Sequence, residues 1–177
     1  SAFEAGTAVP FIVNWPAVIK QGKVSNALVS HIDLVASMAS LIGAEVPLNA
    51  APDSRDQIDT WLGRSDKSAP FVAEMAQDHT VSLRTEQWKY IEPSNGADKQ
   101  GQTGIETGYL KTPQLYDIQA SRYEQDNVYD AHPQVVQQLA YRLDSLRQPK
   151  ASADTCFWYH LLTPNRESLC ATSTGAG

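Results

Sequence analysis

HTVSLRTEQWKYIE (residues 79–92) and PQLYDI (residues 113–118) are the two stretches that decide the fold of this chain. Polar residues separate most of the apolar ones in the first stretch: Val81, Leu83, Trp88, Tyr90 and Ile91. This alternation predicts strands with one face on a core and the other in water. It breaks at residues 85–87, which predicts a turn between two short strands, TVSLRT and QWKYIE. A helix from about residue 133 to 146 should return across this sheet, with an apolar stripe that lies on it: Val135, Val136, Leu139, Leu143 and Leu146.

VPFIVNW (residues 9–15) is a nearly continuous apolar run between Pro10 and Pro16. Such a run is typical of a strand that is buried on both faces, as in a parallel sheet covered by helices. The strand would need neighbours on both sides. Exposure of this run to water would therefore count against the prediction.

A helix is predicted after Ser30. Ser30 and Asp33 stand three apart, as in a capping box, and Gly43 supplies the left-handed residue that ends the helix. One stripe at helical spacing carries its apolar residues: Leu34, Val35, Met38, Leu41 and Ile42. We interpret the helix as scaffold, with His31 as a surface or satisfied core residue rather than a ligand.

Two shorter elements follow. PFVAEM (residues 70–75) predicts a strand, and DSRDQIDTWLG (residues 53–63) predicts a short helical turn. Asp53, Asp56 and Asp59 in that turn could suggest a cation site. A solvated helix face is the favoured interpretation, because a calcium site gathers six or more oxygens from more than one helix.

The glycine-rich segment between Glu92 and Pro113 predicts a long surface loop, either functional or disordered. Residues 150–177 predict a poorly ordered tail. The only cysteines, Cys156 and Cys170, lie in that tail and have no zinc-ligand spacing, so a disulfide and two reduced thiols both stay open.

Composition excludes several classes of partner. The 177-residue chain has a formal net charge of −6 and no Lys or Arg cluster, which argues against nucleic acid or an anionic membrane surface. No apolar run approaches the roughly 18 residues that a membrane-spanning helix needs. The four histidines are scattered along the sequence, so their spacing predicts no metal site.

FEAGTAVPFIVNWP resembles a segment of arylsulfatase-type sulfatases, in which an aromatic-Glu-Gly-Gly run leads into Val-Pro-Phe and Trp-Pro. Four further stretches are similar to this family in the same order: SHIDLVASMASLIG, DSRDQIDTWLG, VSLRTEQWKYIEP and PQLYDIQASRYEQDNVYDAHPQVV. Together they cover residues 1 to about 147. Two departures are visible, since Ala5 replaces the first glycine of the pair and Ala8 replaces a frequent arginine.

The resemblance implies a sulfate-ester hydrolase of the alkaline-phosphatase-like superfamily. Its members use a formylglycine nucleophile, made in a C/S-x-P-x-R motif, and a calcium ion that stabilises charge on the sulfuryl group. Neither Cys156 nor Cys170 matches that motif. The family's sulfate-contacting lysine would fall just before Ser1. We therefore expect a C-terminal portion of a sulfatase, with no catalytic residue, formylglycine or calcium of its own.

The predicted fold class is α/β. It is the end of an alkaline-phosphatase-like catalytic domain, followed by a small α+β lobe with an antiparallel sheet and a C-terminal helix. We place the catalytic-domain part at residues 1–63, the α+β subdomain at 64–149 and the tail at 150–177.

The candidate substrate-binding residues are Gln77 and His79, in the turn before the central strand. The family resemblance implies that this turn can face the active-site pocket, where they would contact substrate outside the sulfate group. The alternative is a polar turn, including Asp78, that satisfies its own backbone. We interpret Arg84 and Lys89 as surface residues that serve solubility or a weak ion pair.

Two functions stay open at this stage. The chain is either part of a sulfatase, inert alone, or a stand-alone α+β binding module without catalytic activity. The first implies a sulfated small molecule or carbohydrate as substrate, the remainder of the catalytic domain as partner, and a periplasmic or secreted location. It also predicts poor solubility or self-association of the isolated chain, since the run at residues 9–15 would lack sheet neighbours.

Overall fold

The computed structural model describes residues 1–47 and 49–147. Its helices are α1 (Glu4–Thr7), α2 (Leu34–Ile42), α3 (Ile58–Trp61) and α4 (Pro133–Arg147), with 3₁₀ turns at His31–Asp33 and Tyr129–Ala131. The chain divides into units Ser1–Asp144 and Ser145–Gly177, and only the end of α4 is described in the second. The predicted tail and both cysteines lie outside the described residues. The predicted boundary between residues 63 and 64 stays a prediction.

Four strands form one antiparallel sheet in sequence order: β1 (Val72–Met75), β2 (Val81–Arg84), β3 (Trp88–Ile91) and β4 (Gln114–Asp117). The predicted turn between β2 and β3 is confirmed, and the Thr85 N–H donates to the Trp88 carbonyl at 2.8 Å. The strand predicted from PFVAEM is confirmed as β1. The sheet with its C-terminal helix confirms the predicted mixed α/β class.

Both faces of the sheet carry buried residues, which differs from the prediction of one face in water. One face carries Ala73, Leu83, Trp88, Tyr90 and Leu115, and the other carries Glu74, Ser82, Arg84, Lys89, Ile91, Gln114 and Tyr116. Leu83 on the first face and Lys89 on the second are both 0% exposed. The polar residues of the alternating pattern therefore face a second buried layer.

The N-terminal segment forms part of that second layer. Ala2 is buried, and its N–H donates to the Thr107 carbonyl at 2.7 Å. Phe3 packs edge-on against Tyr116, with ring centroids 5.9 Å apart. The long loop before β4 thus packs against the start of the chain, and Tyr109 in this loop is buried.

The predicted C-terminal helix is confirmed as α4, which has Pro133 in its first turn, where a proline fits the helix. Its buried residues are Val136, Leu139 and Leu143, from the predicted stripe. The Trp88 ring of β3 lies 4.9 Å from the ring of His132, just before the helix. No helix in residues 1–47 or 49–147 is both long enough and apolar enough to span a bilayer.

Helix α2 turns its polar side inward. Asp33 and Ser37 are fully buried, the Arg55 N–H donates to Asp33 Oδ1 at 2.9 Å, and the Gln57 N–H donates to Ser37 Oγ at 2.9 Å. The predicted caps by Ser30 and Asp33 are wrong, because neither side chain makes a capping hydrogen bond. Gly43 ends the helix in the left-handed region, at φ 68°, as predicted.

The run at residues 9–15 is extended coil outside any strand, and most of its side chains face water. Val9 is 79% exposed and Ile12 is 85% exposed. The prediction of a strand buried on both faces is wrong for this chain. Such a strand requires hydrogen-bonded neighbours, and the four strands among the described residues pair with one another instead.

Candidate functional site

The β1–β2 hairpin turn positions the two predicted site residues, Gln77 and His79. The Ala76 N–H donates to the Thr80 carbonyl at 2.9 Å, and the His79 N–H donates to the Ala76 carbonyl at 3.0 Å. His79 lies in the left-handed region, with φ 70°. This conformation is costly for a residue with a side chain, so the closed turn holds it in place.

Asp78, between the two candidates, is a structural residue. Its Oδ1 accepts the Thr80 N–H at 3.0 Å, and its Oδ2 accepts the hydroxyls of Thr80 and Ser94, each at 2.7 Å. Burial raises the pKa of Asp78, but the hydrogen bonds from Ser94 and Thr80 outweigh it and bring the pKa below its usual value. For Asp78 the alternative of a turn that satisfies its own backbone fits best.

Gly96 allows the long loop to approach this turn closely. A Cβ atom at this position would lie 2.5 Å from Asp78 Oδ2 and 2.7 Å from Cδ2 of Tyr109. Both distances are shorter than the contacts that real Cβ atoms make, so a residue with a side chain would not fit at this position. The loop therefore supports the hairpin turn from behind through Ser94, Gly96 and Tyr109.

Gln77 and His79 are exposed, in contrast to Asp78. Neither side chain makes a hydrogen bond to another residue of the described part of the chain. The turn brings the two together on one exposed tip. Their assignment to substrate binding stays a prediction.

The structure contains a buried ion cluster that the sequence analysis missed; it consists of Glu4, Glu74, Arg84 and Lys89. Lys89 Nζ donates to Glu74 Oε2 at 2.8 Å and to Glu4 Oε1 at 3.2 Å. Arg84 Nε lies 3.2 Å from the same Glu4 oxygen. Ser82 Oγ donates to Glu74 at 3.2 Å. The cluster joins α1 to strands β1, β2 and β3.

The interpretation of Arg84 and Lys89 as surface residues is wrong. The Lys89 side chain is 0% exposed and that of Arg84 is 13% exposed, because the N-terminal segment covers this face of the sheet. The sequence carried a signal for this. The β2–β3 turn places Arg84 directly opposite Lys89, and two like charges at such a position need an anion between them. Glu4 supplies that anion.

Glu124 lies next to the buried ion cluster. Its Oε2 accepts the Glu4 N–H at 2.7 Å, while its Oε1 is buried and has no hydrogen-bond partner in the described part of the chain. Burial raises the pKa of Glu124 to about 7, and the charge of Lys89 opposes this. Its burial therefore makes this carboxyl group harder to ionise than an exposed glutamate.

No group of three or more His, Cys, Asp or Glu side chains suited to a metal ion occurs in residues 1–47 and 49–147. The three acids of residues 53–59 do not converge. Asp56 Oδ1 accepts the Ile58 N–H at 2.9 Å, whereas Asp59 pairs with Arg64 at 3.4 Å. Among the described residues, these acids are therefore not arranged as ligands of a calcium ion.

Exposed apolar side chains lie on two elements within residues 1–63, the 9–15 run and α2; we call these side chains together the apolar surface. Besides Val9 and Ile12 it includes Phe11, Leu34, Val35, Met38, Leu41 and Ile42. A cavity of about 750 Å³ lies between the 9–15 run and α3, with Trp61 in its wall. The Trp61 indole N–H is buried without a hydrogen-bond partner in the described residues. Apolar patches of this kind mark contact surfaces.

Comparison with known proteins shows that the chain is a homologue of sulfatases, enzymes that hydrolyse sulfate esters, and that it corresponds to a C-terminal portion of them. N-acetylgalactosamine-6-O-sulfatase of Bacteroides thetaiotaomicron is 42% identical over 147 residues, which cover 83% of this chain and 29% of that enzyme. Arylsulfatase K of Bos taurus is 28% identical over 166 residues, covering 86% of this chain and 28% of that protein. No family model matches.

The fold is also similar to a solved structure from Bacteroides thetaiotaomicron that is described in connection with the metabolism of multiple glycosaminoglycans. The TM-score is 0.79 at 42% sequence identity, and the match covers 82% of this chain and 30% of that one. The chain thus spans about 30% of the length of the relatives it matches. The predicted resemblance to the C-terminal portion of sulfatases is confirmed.

Proposed function

We propose that this chain is the C-terminal portion of a sulfatase whose parent protein hydrolyses sulfate esters of a carbohydrate. The observation that carries the proposal is the 42% identity, together with a TM-score of 0.79, to a solved structure from Bacteroides thetaiotaomicron. N-acetylgalactosamine-6-O-sulfatase, the curated relative at the same identity, acts on a sulfated sugar according to its name. An aryl sulfate is the second substrate class.

The partner of this portion is the remainder of the sulfatase catalytic domain. The apolar surface supports this, since α2 places its polar side inward on residues 54–57 and leaves its apolar stripe outside. A stable helix of a soluble domain buries its apolar stripe. The stand-alone binding module is disfavoured because it would leave this surface in water.

The chemistry at the sulfur atom belongs to groups in that remainder. In the parent enzyme a formylglycine would supply the nucleophile and calcium would stabilise the developing charge. We assign neither to this portion, and we infer that the portion alone is inactive. A periplasmic or secreted location of the parent rests on the family resemblance alone.

A chimeric enzyme tests the proposal. Residues 1–147 of this chain would replace the matching part of the Bacteroides thetaiotaomicron N-acetylgalactosamine-6-O-sulfatase. We expect a folded chimera that releases sulfate from 6-O-sulfated N-acetylgalactosamine, whereas the same enzyme without this part releases none. A well-folded chimera without activity, or sulfate release by the isolated chain, would contradict the proposal.

Within the chimera, Gln77 and His79 are proposed to contact the substrate outside its sulfate group. We expect Gln77→Ala and His79→Ala to raise KM by roughly two- to tenfold each, since each removes one hydrogen bond, and to leave kcat nearly unchanged. Steady-state kinetics measures both constants. The exposed His31 and Gln102 offer matched controls. Equal KM values for the site and control alanine variants would rule out the contact.

Positive charges placed on the apolar surface should improve the behaviour of the isolated chain but harm the chimera. Val35→Lys and Ile42→Lys together should reduce self-association of the isolated chain, because they place charges on an exposed apolar stripe. In the chimera they should lower the yield of active enzyme by roughly tenfold or more, because two charges would then be buried. Analytical ultracentrifugation and activity per milligram measure the two effects.

Tyr141→Lys is the control for that pair of substitutions. Tyr141 is equally exposed, at 77% against 76% for Ile42, but lies on α4 and outside the apolar surface. It should change neither measurement. If the chimera tolerates the two lysines on α2, the remainder of the catalytic domain does not cover that helix.

A further inference from the structure

We propose that Ser94, in the long loop before β4, is a positioning residue for substrate binding. Through the carboxylate of Asp78 it fixes the hairpin turn that carries Gln77 and His79, so that both side chains already have the orientation in which they contact the substrate. This inference rests on the proposed function, because it needs the proposed substrate contacts of Gln77 and His79.

The Asp78 carboxylate is the group through which the loop holds the turn. Its Oδ1 accepts the Thr80 N–H at 3.0 Å, and its Oδ2 accepts the hydroxyls of Thr80 and Ser94 at 2.7 Å each. The bonds from Thr80 lie within the turn, whereas the bond from Ser94 joins the turn to a separate segment of the chain. A hydroxyl that donates to a carboxylate at this distance makes one of the stronger hydrogen bonds in proteins. Ser94 therefore anchors the turn to the long loop.

The long loop in turn holds Ser94 in place. The Ser94 N–H donates to the Leu110 carbonyl at 2.7 Å, and the Ser94 hydroxyl oxygen accepts the Gly96 N–H at 3.0 Å. The hydroxyl of the buried Tyr109 also interacts with Asp78. The start and the end of the loop thus meet at Ser94, which gives the loop a role in holding the hairpin turn.

The backbone of His79 shows why this anchor matters for the candidate site. It lies in the left-handed region, with φ 70°, a conformation that costs free energy for a residue with a side chain. A turn without the anchor would leave this conformation for part of the time. Gln77 and His79 are both exposed, and Asp78 is the residue between them. The contacts of Asp78 therefore restrict the orientation of both neighbours.

Ser94→Ala in the chimera tests the inference. We expect KM to rise roughly threefold to tenfold with kcat nearly unchanged, because a smaller fraction of the molecules would present Gln77 and His79 correctly.

Ser121→Ala is the matched control. Ser121 is partly buried like Ser94, and its hydroxyl oxygen also accepts the N–H two residues further on, that of Tyr123 at 3.3 Å. It follows β4 at the end of the sheet away from the β1–β2 turn. Its substitution should change neither constant.

The effect of Ser94 should pass through Gln77 and His79 alone. When both are already alanine, Ser94→Ala should therefore raise KM no further. An equal rise with and without the two alanines would overturn the inference, and so would an unchanged KM for Ser94→Ala while Gln77→Ala and His79→Ala raise it. If neither Gln77→Ala nor His79→Ala changes KM, the proposed contact is wrong and the inference is wrong with it.

Amide hydrogen exchange of the complete 177-residue chain tests the anchor without any activity. The His79 N–H donates to the Ala76 carbonyl, so its protection reports the closed turn. We expect Ser94→Ala to lower this protection roughly threefold to tenfold relative to the Thr85 amide of the β2–β3 turn, and Ser121→Ala to leave it unchanged. A chimera that releases no sulfate would contradict the proposed function, whereas equal His79 protection in the wild type and in Ser94→Ala would overturn this inference by itself.

Discussion

Lys89→Met is expected to lower the free energy of unfolding by about 3–5 kcal/mol, one of the largest losses available to a single substitution in this chain. Lys89 is fully buried and donates to carboxylates of both Glu4 and Glu74. Methionine fits the same space but leaves two acids with Arg84 as the only cation of the cluster. Removing one partner leaves an uncompensated charge buried in the protein. This lowers the free energy of unfolding by more than the intact ion cluster contributes to it.

Urea unfolding followed by tryptophan fluorescence measures this effect as a lower midpoint at unchanged slope. Lys111→Met is the matched control, since Lys111 is exposed and its substitution should change the free energy by less than about 0.5 kcal/mol. Glu74→Gln added to Lys89→Met should recover part of the loss, because it removes one uncompensated charge. Equal midpoints for Lys89→Met and Lys111→Met would show that the cluster does not stabilise the fold.

Leu83→Ala is expected to cost about 2–5 kcal/mol through loss of apolar contact and formation of a cavity. Leu83 is 0% exposed in β2 and stands between Ala73 of β1 and Tyr90 of β3. Close neighbours on both sides limit how far the site can collapse around the smaller side chain. The loss should therefore appear in full.

The matched control is Met75→Ala on the edge strand β1, where the side chain is 66% exposed. This substitution should change the free energy of unfolding by about 0.5 kcal/mol or less. The same urea titration compares the two variants. A loss at Leu83 no larger than the loss at Met75 would mean that the sheet is not the centre of the core.

The central hairpin was predictable because local signals agreed with one another. Alternating apolar residues indicated β2 and β3, and the break at residues 85–87 indicated the turn that joins them. Pro133 and the stripe through Leu143 likewise indicated α4. In each case the residues that define the element also form its contacts within the described chain.

The burial of the polar face was not predictable from local pattern. Lys89 and Arg84 look like solvent-facing residues of an amphipathic hairpin until a distant segment covers them. Glu4 is 85 residues from Lys89 and 120 residues from Glu124 in the sequence. The sequence signal for this burial is the position of Arg84 opposite Lys89, which follows once the β2–β3 turn is recognised.

The predictions of burial for residues 1–63 were wrong for a different reason. The 9–15 run and the stripe of α2 carry apolar patterns that the described residues do not bury, so the pattern predicts contacts absent from this structure. The candidate site was predictable only in part. The hairpin turn with Gln77 and His79 is where the sequence placed it, whereas the role of Asp78 depends on Ser94 and Tyr109 of a loop without any periodic pattern.

The long sequence distance from Glu4 to Glu124 also governs the order in which the fold can be completed. During synthesis the α1 segment leaves the ribosome before the strands that carry Lys89 and Arg84, and its last partner emerges 120 residues later. Contacts between residues so far apart in the sequence form slowly and late in folding. The Glu4 carboxylate therefore stays without its partners until Arg84 and Lys89 have been made, and the Glu4 N–H waits for Glu124.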